Sequence, residues 1–194
     1  MLKEKPQHSV LIVSSSEKGL NLIAYLLPPD SFNPVMSVKS AGEAKRLMLN
    51  SAFDLVIINS PLTDETGCDL AKSITENSSI CVLLIAKSDM VNEFTYQVEG
   101  YGVLTLAKPH TRQMFYQTVN LLSATRERLR SLEKKNASMQ AKMEEIRIVN
   151  RAKWVLIDYL KMNESQAHRY IEKQAMDMRM TKREVAENII KTYE

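Results

Sequence analysis

Apolar residues along the first 120 positions follow two alternating rhythms. Five short runs predict strands: Ser9-Val10-Leu11-Ile12-Val13, Pro34-Val35-Met36-Ser37-Val38, Asp54-Leu55-Val56-Ile57-Ile58, Ile80 to Ala86, and Gly102-Val103-Leu104-Thr105-Leu106. Three of these are apolar on both faces, as strands covered on each side of a parallel sheet are. Between them, apolar positions three and four apart predict helices over residues 17–27, 41–50, 68–76 and 90–99, with a long helix from Thr111. This strand–helix alternation is the pattern of an α/β fold, a doubly wound (βα)5 parallel sheet.

Beyond residue 109 the rhythm changes. All five glycines and all six prolines lie at or before Pro109, leaving 85 residues without either of the main helix breakers. That stretch is therefore predicted to be helix joined by short polar turns. Leu122, Leu129, Asn136, Met143 and Asn150 repeat every seven residues, interleaved with Thr125, Leu132, Met139 and Ile146. Apolar positions at this spacing between charged flanks predict a coiled-coil seam of about four heptads, with Asn136 favouring a two-stranded pairing in fixed register. The expected assembly is a parallel homodimer through Leu122, Leu129, Leu132, Asn136, Met139, Met143 and Ile146. The first terminal helix continues the coiled coil through Ala152, Val155, Leu156 and Tyr159 to Leu160. Asn163 with Gln166, and Thr181 with Glu184, have capping-box spacing and open two further helices. The second has an inner stripe of Ala167, Tyr170, Ile171, Ala175 and Met178. The third has Val185, Ala186, Ile189 and Ile190. Each alone is marginal, so the three are expected to pack as one unit.

Charge sharpens this division. Residues 1–122 hold ten Lys and Arg against twelve Asp and Glu, whereas residues 123–194 hold sixteen against eleven, so the net charge of +3 belongs to the tail. A length of 194 residues excludes a large multidomain enzyme, and 44% hydrophobic with 25% charged residues is an ordinary globular composition. The run Cys81 to Ala86 is too short for a membrane helix, and Met1 to Lys5 lack the apolar stretch of a signal peptide, so a cytoplasmic protein without membrane partners is expected. Cys68 and Cys81 have no C-x-x-C spacing, and neither they nor His8, His110 and His168 form a pattern for metal or catalysis. No cofactor, metal or enzymatic activity is expected.

Over residues 8–122 the chain resembles the receiver domain of bacterial response regulators, a flavodoxin-like fold. The resemblance rests on Val10-Leu11-Ile12-Val13, Asp54-Leu55-Val56-Ile57-Ile58-Asn59 and Ala107-Lys108-Pro109. It implies a site where an acidic pair holds Mg²⁺, an Asp accepts phosphate, and a Ser/Thr and a Lys assist. Here the acidic pair is replaced by Ser14 and Ser15, the acceptor by Asn59, and the Ser/Thr falls on Ile85 or Ala86; only Lys108 remains. Two serines and an amide cannot supply the carboxylate charge that Mg²⁺ needs, and an amide nitrogen is no nucleophile for a phosphoryl group. Lys108 is then expected to bond loop carbonyls at the strand ends. Asp64 and Glu65 are weak substitutes as acceptors without the metal-holding acids.

Residues from about 148 to 190 resemble an ANTAR domain, the RNA-binding output module of transcription antiterminators. Its marks here are Arg151-Ala152-Lys153, Met162-Asn163-Glu164, Ala167, Tyr170, Ile171, Ala175-Met176, Arg179 and Val185-Ala186. The plan is similar to that of antiterminators of the amidase-operon type, whose receiver-like domain also lacks the phosphorylation site. The resemblance implies a dimer binding paired stem-loops in nascent leader RNA; the missing site residues add signalling without phosphate, and whether a regulatory protein or a small ligand acts on the receiver-like domain stays open. The expected domains are 1–122 receiver-like, 123–147 coiled-coil linker and 148–194 ANTAR. Arg151, Lys153, Arg179, Thr181, Lys182 and Arg183 are expected to converge at one end of the bundle as the RNA face. Trp154 lies off the main stripe and suits either the seam or the RNA, while Tyr159 and Tyr170 are expected in the core. Two alternatives stay open: a DNA-binding response regulator with a helix-turn-helix, and a module that sequesters a partner through the coiled coil. The turn before the third helix contains Met180-Thr181 and no glycine, which disfavours the first, and sequestration does not require a basic tail.

Overall fold

The computed structural model describes residues 7–193; the residues read above for a signal peptide lie outside this range. Strands β1 (His8–Ser14), β2 (Phe32–Val38), β3 (Leu55–Asn59), β4 (Cys81–Lys87) and β5 (Leu104–Lys108) form one parallel sheet in the order β2-β1-β3-β4-β5. Helices α1 (Glu17–Leu26), α2 (Ala41–Met48), α3 (Cys68–Asn77) and α4 (Val91–Val98) fill the crossovers. The order is that of a doubly wound receiver fold, with its switch point between β1 and β3.

The period of two sorts each strand's side chains onto opposite faces. Leu11, Val13, Val56, Ile58, Val82 and Leu84 face α2, α3 and α4 in one buried cluster. Val10, Ile12, Leu55, Ile57, Leu83 and Ile85 meet α1 and the start of the long helix α5 (Arg112–Leu160) in the other. Cys68 and Cys81 belong to different clusters, one on each side of the sheet.

The described residues fall into two compact units dividing between Ser131 and Leu132. The receiver-like unit thus extends past the expected limit at Leu122, for two physical reasons. Leu122 is itself buried in the second cluster with Phe115 and Val119, and Leu129 packs partly against it. Leu122 is therefore a core residue of its own domain and is withdrawn from the dimer seam, while Leu129 is available only in part. The second reason is Asp54, which sits buried just before β3. Its carboxylate accepts from Ser9 N and Oγ at 3.1 and 3.3 Å, from Arg126 Nε at 3.1 Å and from Arg130 Nη2 at 3.2 Å. These bonds fasten two turns of α5 to the sheet's N-terminal edge. The buried His8 ring stands 4.0 Å from both Asp54 and Glu127.

The second unit is a helical bundle of the end of α5 with α6 (Glu164–Met178) and α7 (Lys182–Tyr193). Ala152, Val155, Leu156, Ala167, Ile171, Ala175, Val185, Ala186 and Ile189 make its core. Both capping boxes are present: Asn163 and Gln166 exchange bonds at the start of α6, and Thr181 and Glu184 do so before α7. Two inward assignments are corrected. Met178 is 59% exposed at the end of α6, and Tyr159 is 59% exposed on α5, its ring 5.8 Å from that of Tyr193. Tyr170 packs partly against the core as expected.

Burial works against the charge on Asp54, but the Ser9 bond and the two guanidiniums outweigh it and hold the carboxyl below its usual value of 3.8. A carboxylate with a depressed native pKa stabilises above its unfolded pKa, and that share is lost as pH falls through the lower native value. Asp54→Asn should therefore cost about 2 kcal/mol in urea unfolding at pH 7, the scale of hydrogen bonds to a charged group. The gap to the parent should narrow as pH is taken below about 3.8.

Candidate nucleic-acid interface and receiver-like site

At the C-terminal ends of β1 and β3, where a doubly wound sheet places its ligand crevice, Ser14 and Asn59 are register partners. Asn59 Nδ2 donates to Ser14 Oγ at 2.8 Å. Lys108 Nζ donates to Asn59 Oδ1 at 2.8 Å and to the Ser60 carbonyl at 2.6 Å. Burial, and then the neighbouring Lys87 charge, pull the Lys108 pKa below the usual lysine value. Ser15 Oγ donates to the Pro61 carbonyl at 2.8 Å. The expected loop-carbonyl role of Lys108 is thus met by Ser60, and Asn59 supplies a second acceptor.

The remaining positions of this site are committed elsewhere. Ile85 and Ala86 are buried core residues. Asp64 accepts from the Ala41 and Gly42 amides at 2.9 Å each, capping α2, and Glu65 accepts from the Leu70 amide at 2.8 Å on α3. Gly19 in α1 closes the top: a Cβ there would lie 2.5 Å from Asn59 Nδ2 and 2.7 Å from Ser14 Oγ. Among the described residues, the strand ends therefore hold a bonded cluster of serine, amide and lysine in place of carboxylates.

In the bundle, the six expected RNA residues have different surroundings. Lys153 and Lys182 line one hollow of about 260 Å³, together with Lys142 and His168. Lys153 Nζ bonds Glu164 at 3.1 Å, Lys182 Nζ bonds Glu172 at 2.6 Å, and His168 Nε2 lies 3.3 Å from the same Glu172 oxygen. Arg151 lines a different, wider hollow with Arg147, Met143, Ile146 and Trp154. Arg183 Nε pairs with Glu187 at 2.8 Å. Arg179 is the left-handed C-cap of α6, at φ 53°. Thr181 is reassigned to capping, since its hydroxyl both donates to the Glu184 carboxylate and accepts from the Glu184 amide. His168 and Lys142 were not among the expected residues. Histidine has no helical signature of its own, and only the packing of α6 beside α5 and α7 shows which basic groups share a hollow.

Comparison with known proteins agrees with this division. Residues 137–190 match the ANTAR domain family. The chain carries an ANTAR domain behind a receiver-like domain. The transcriptional regulatory protein PdtaR of Mycobacterium tuberculosis is 25% identical over 171 residues, covering 88% of this chain and 83% of that protein. Among solved structures, the signal receiver domain of an HD domain-containing protein from Pseudomonas fluorescens superposes with a TM-score of 0.58 at 21% identity. It covers 68% of this chain and 96% of that one. The non-phosphorylated HemR receiver domain from Leptospira biflexa gives 0.54 at 24% identity, covering 60% and 94%. These structures establish the receiver fold of the N-terminal unit. The ANTAR match begins at residue 137, upstream of the expected 148, so it takes in part of the heptad stretch of α5 as well as the bundle.

Gly19→Ala tests this cluster. In an ordinary helix interior this exchange gains about 1 kcal/mol. Here the methyl must displace Asn59 or Ser14, so the variant should unfold at lower urea than the parent. The loss should shrink when Ser14→Ala is added, because one of the two crowding atoms is then gone.

Proposed function

We propose that the protein is an RNA-binding antitermination regulator that engages paired stem-loops of a nascent leader transcript as a homodimer, without phosphorylation of its receiver-like domain. The observation that carries this reading is the coincidence of the ANTAR match with a bundle whose three helices gather three lysines and a histidine around one hollow. Lysine-lined concavities supply the phosphate contacts that dominate nucleic-acid affinity, and RNA loops add base contacts that duplex DNA withholds. PdtaR, the relative sharing most of the chain, is named as a transcriptional regulator.

The dimer rests on the outer face of α5. Leu132, Met139, Met143 and Ile146 are each more than half exposed, and Trp154 is 71% exposed on the same helical face. Leu132, Asn136, Met139, Met143, Ile146, Asn150 and Trp154 follow three- and four-residue steps, while Ala152, Val155 and Leu156 point into the bundle. A second copy supplies the apolar partner this stripe lacks, and Trp154 extends the seam beyond Ile146. Independence from phosphate is supported by the serine, amide and lysine cluster at the strand ends.

Cellular RNA recovered with the protein should be enriched in leader segments carrying two stem-loops. In salt titrations such an RNA should bind more tightly than the same RNA with scrambled loops or a DNA duplex. Equal binding to all three would reduce the surface to a generic basic patch, and preference for the duplex would favour the DNA-binding alternative.

Two further outcomes are expected. Leu132→Asp with Met143→Asp should give monomers in sedimentation at micromolar concentration, since each change places a charge in the seam without touching the receiver core. Incubation with Mg²⁺ and a small phosphodonor should leave the intact mass unchanged, and a stoichiometric adduct would overturn phosphate-independent signalling.

A further inference from the structure

We propose that the hollow bounded by Lys142, Lys153, His168 and Lys182 seats a backbone phosphate of the bound RNA, and that Glu172, which bonds the lining Lys182 and lies beside the lining His168, competes with that phosphate in the free protein. The proposal rests on the RNA-binding reading and assigns the contact and its internal competitor.

One oxygen of Glu172 accepts from Lys182 Nζ on α7 at 2.6 Å and lies 3.3 Å from His168 Nε2 on its own helix α6. A carboxylate oxygen and a phosphate oxygen make the same charge-assisted bonds, so a phosphate in the hollow competes with this oxygen for Lys182. Lys153 forms another wall; its side chain is only 16% exposed and bonds Glu164 at 3.1 Å. Lys142 lines the hollow and has no carboxylate within bonding range among the described residues. Ile146 and Val149 contribute an apolar wall, which lowers the local dielectric and strengthens charge-assisted bonds. At about 260 Å³ the hollow holds several times the roughly 30 Å³ that one water occupies in the liquid.

The free hollow is balanced in charge. Its three lysines are answered by Glu145, which lines it, and by Glu164 and Glu172, which bond Lys153 and Lys182. A phosphate must therefore displace a carboxylate, and of the two lysine-bonded ones Glu172 is the one whose partners are both substantially exposed, whereas Glu164 holds the well-covered Lys153. Glu172 is itself substantially exposed, and exposed ion pairs are weak. Displacement returns Glu172 to water and leaves Lys182 and His168 with a new acceptor. The balance makes the hollow a poor trap for stray anions but open to a polyanion anchored elsewhere on the bundle.

The full-length protein is tested with two probes, inorganic pyrophosphate and an RNA carrying two stem-loops. Glu172→Gln keeps the side-chain shape and removes the competing charge. It should tighten binding of both probes several-fold and enlarge the NMR shift of the His168 ring on pyrophosphate addition. Adding Lys182→Gln should cancel the gain, and Lys182→Gln alone should flatten the salt dependence of RNA binding by about one unit. Glu76→Gln, on the exposed side of α3 in the receiver-like unit, removes one negative charge outside the bundle and should leave both affinities unchanged. The proposal is overturned if Glu172→Gln binds the probes no more tightly than the parent, or no more tightly than Glu76→Gln does. If Glu172→Gln tightens binding equally to RNA with intact and scrambled loops, the phosphate seat stands while the stem-loop reading fails. If intact loops are preferred and Glu172→Gln changes nothing, the reverse holds.

Discussion

The structure turns on a helix that is not told to stop. α5 runs for 49 residues because nothing after Pro109 breaks it, and an unbroken helix must satisfy every environment it crosses by choice of face. Phe115, Val119 and Leu122 complete the receiver core, and Arg126 and Arg130 grip Asp54. Beyond that, Leu132, Met139, Met143 and Ile146 are each more than half exposed. By Ala152 the opposite face is buried in the ANTAR core. The division of labour is set by residue type alone: aromatic and aliphatic where a domain waits, arginine where a buried carboxylate waits, and an apolar stripe in charged flanks where a second chain is proposed.

The receiver-like unit shows what becomes of a fold's ligand crevice when its charge is removed. Ordinary receiver chemistry needs several carboxylates held close together, an arrangement that repels itself without a cation. In this chain the same positions carry hydroxyl, amide and ammonium, each bonded to the next. The cluster is satisfied without a metal, and Gly19 packs directly over it. At these positions polar side chains bond one another where a receiver would gather carboxylates.

How much of this was legible depended on whether the signal was periodic. The five strands, the crossover helices and both capping boxes follow from spacings within a dozen residues, and the structure places them within a few residues of expectation. Lys108 was legible as a strand-end cation because its neighbours are fixed by the sheet. Leu122 was misassigned because a heptad position and a domain-core position look alike in sequence; only the depth of α5 against Leu83 and Ile85 separates them. Tyr159 and Met178 failed for a related reason. Each sits at a helix end, where the period still points inward but the partner helix has run out. The Asp54 clamp and the Glu172 junction were invisible because their members lie 72 and 10 residues apart with no repeat between them.

The proposed seam and the proposed phosphate seat constrain each other. Ile146 and Asn150 belong to the stripe and also line the hollow that holds Lys142, Lys153 and Lys182. A partner helix laid along the stripe therefore borders the hollow, and two such hollows flank one coiled coil. For an RNA with two stem-loops, the first contact then presents the second loop to the second hollow at an effective concentration that short tethers set in the millimolar range. Weak individual seats, each balanced by its own glutamate, suit such a device. One loop alone has little with which to displace Glu172, whereas two loops held at the right spacing act together. Selectivity for paired loops then follows from geometry, with modest affinity at each site as its condition.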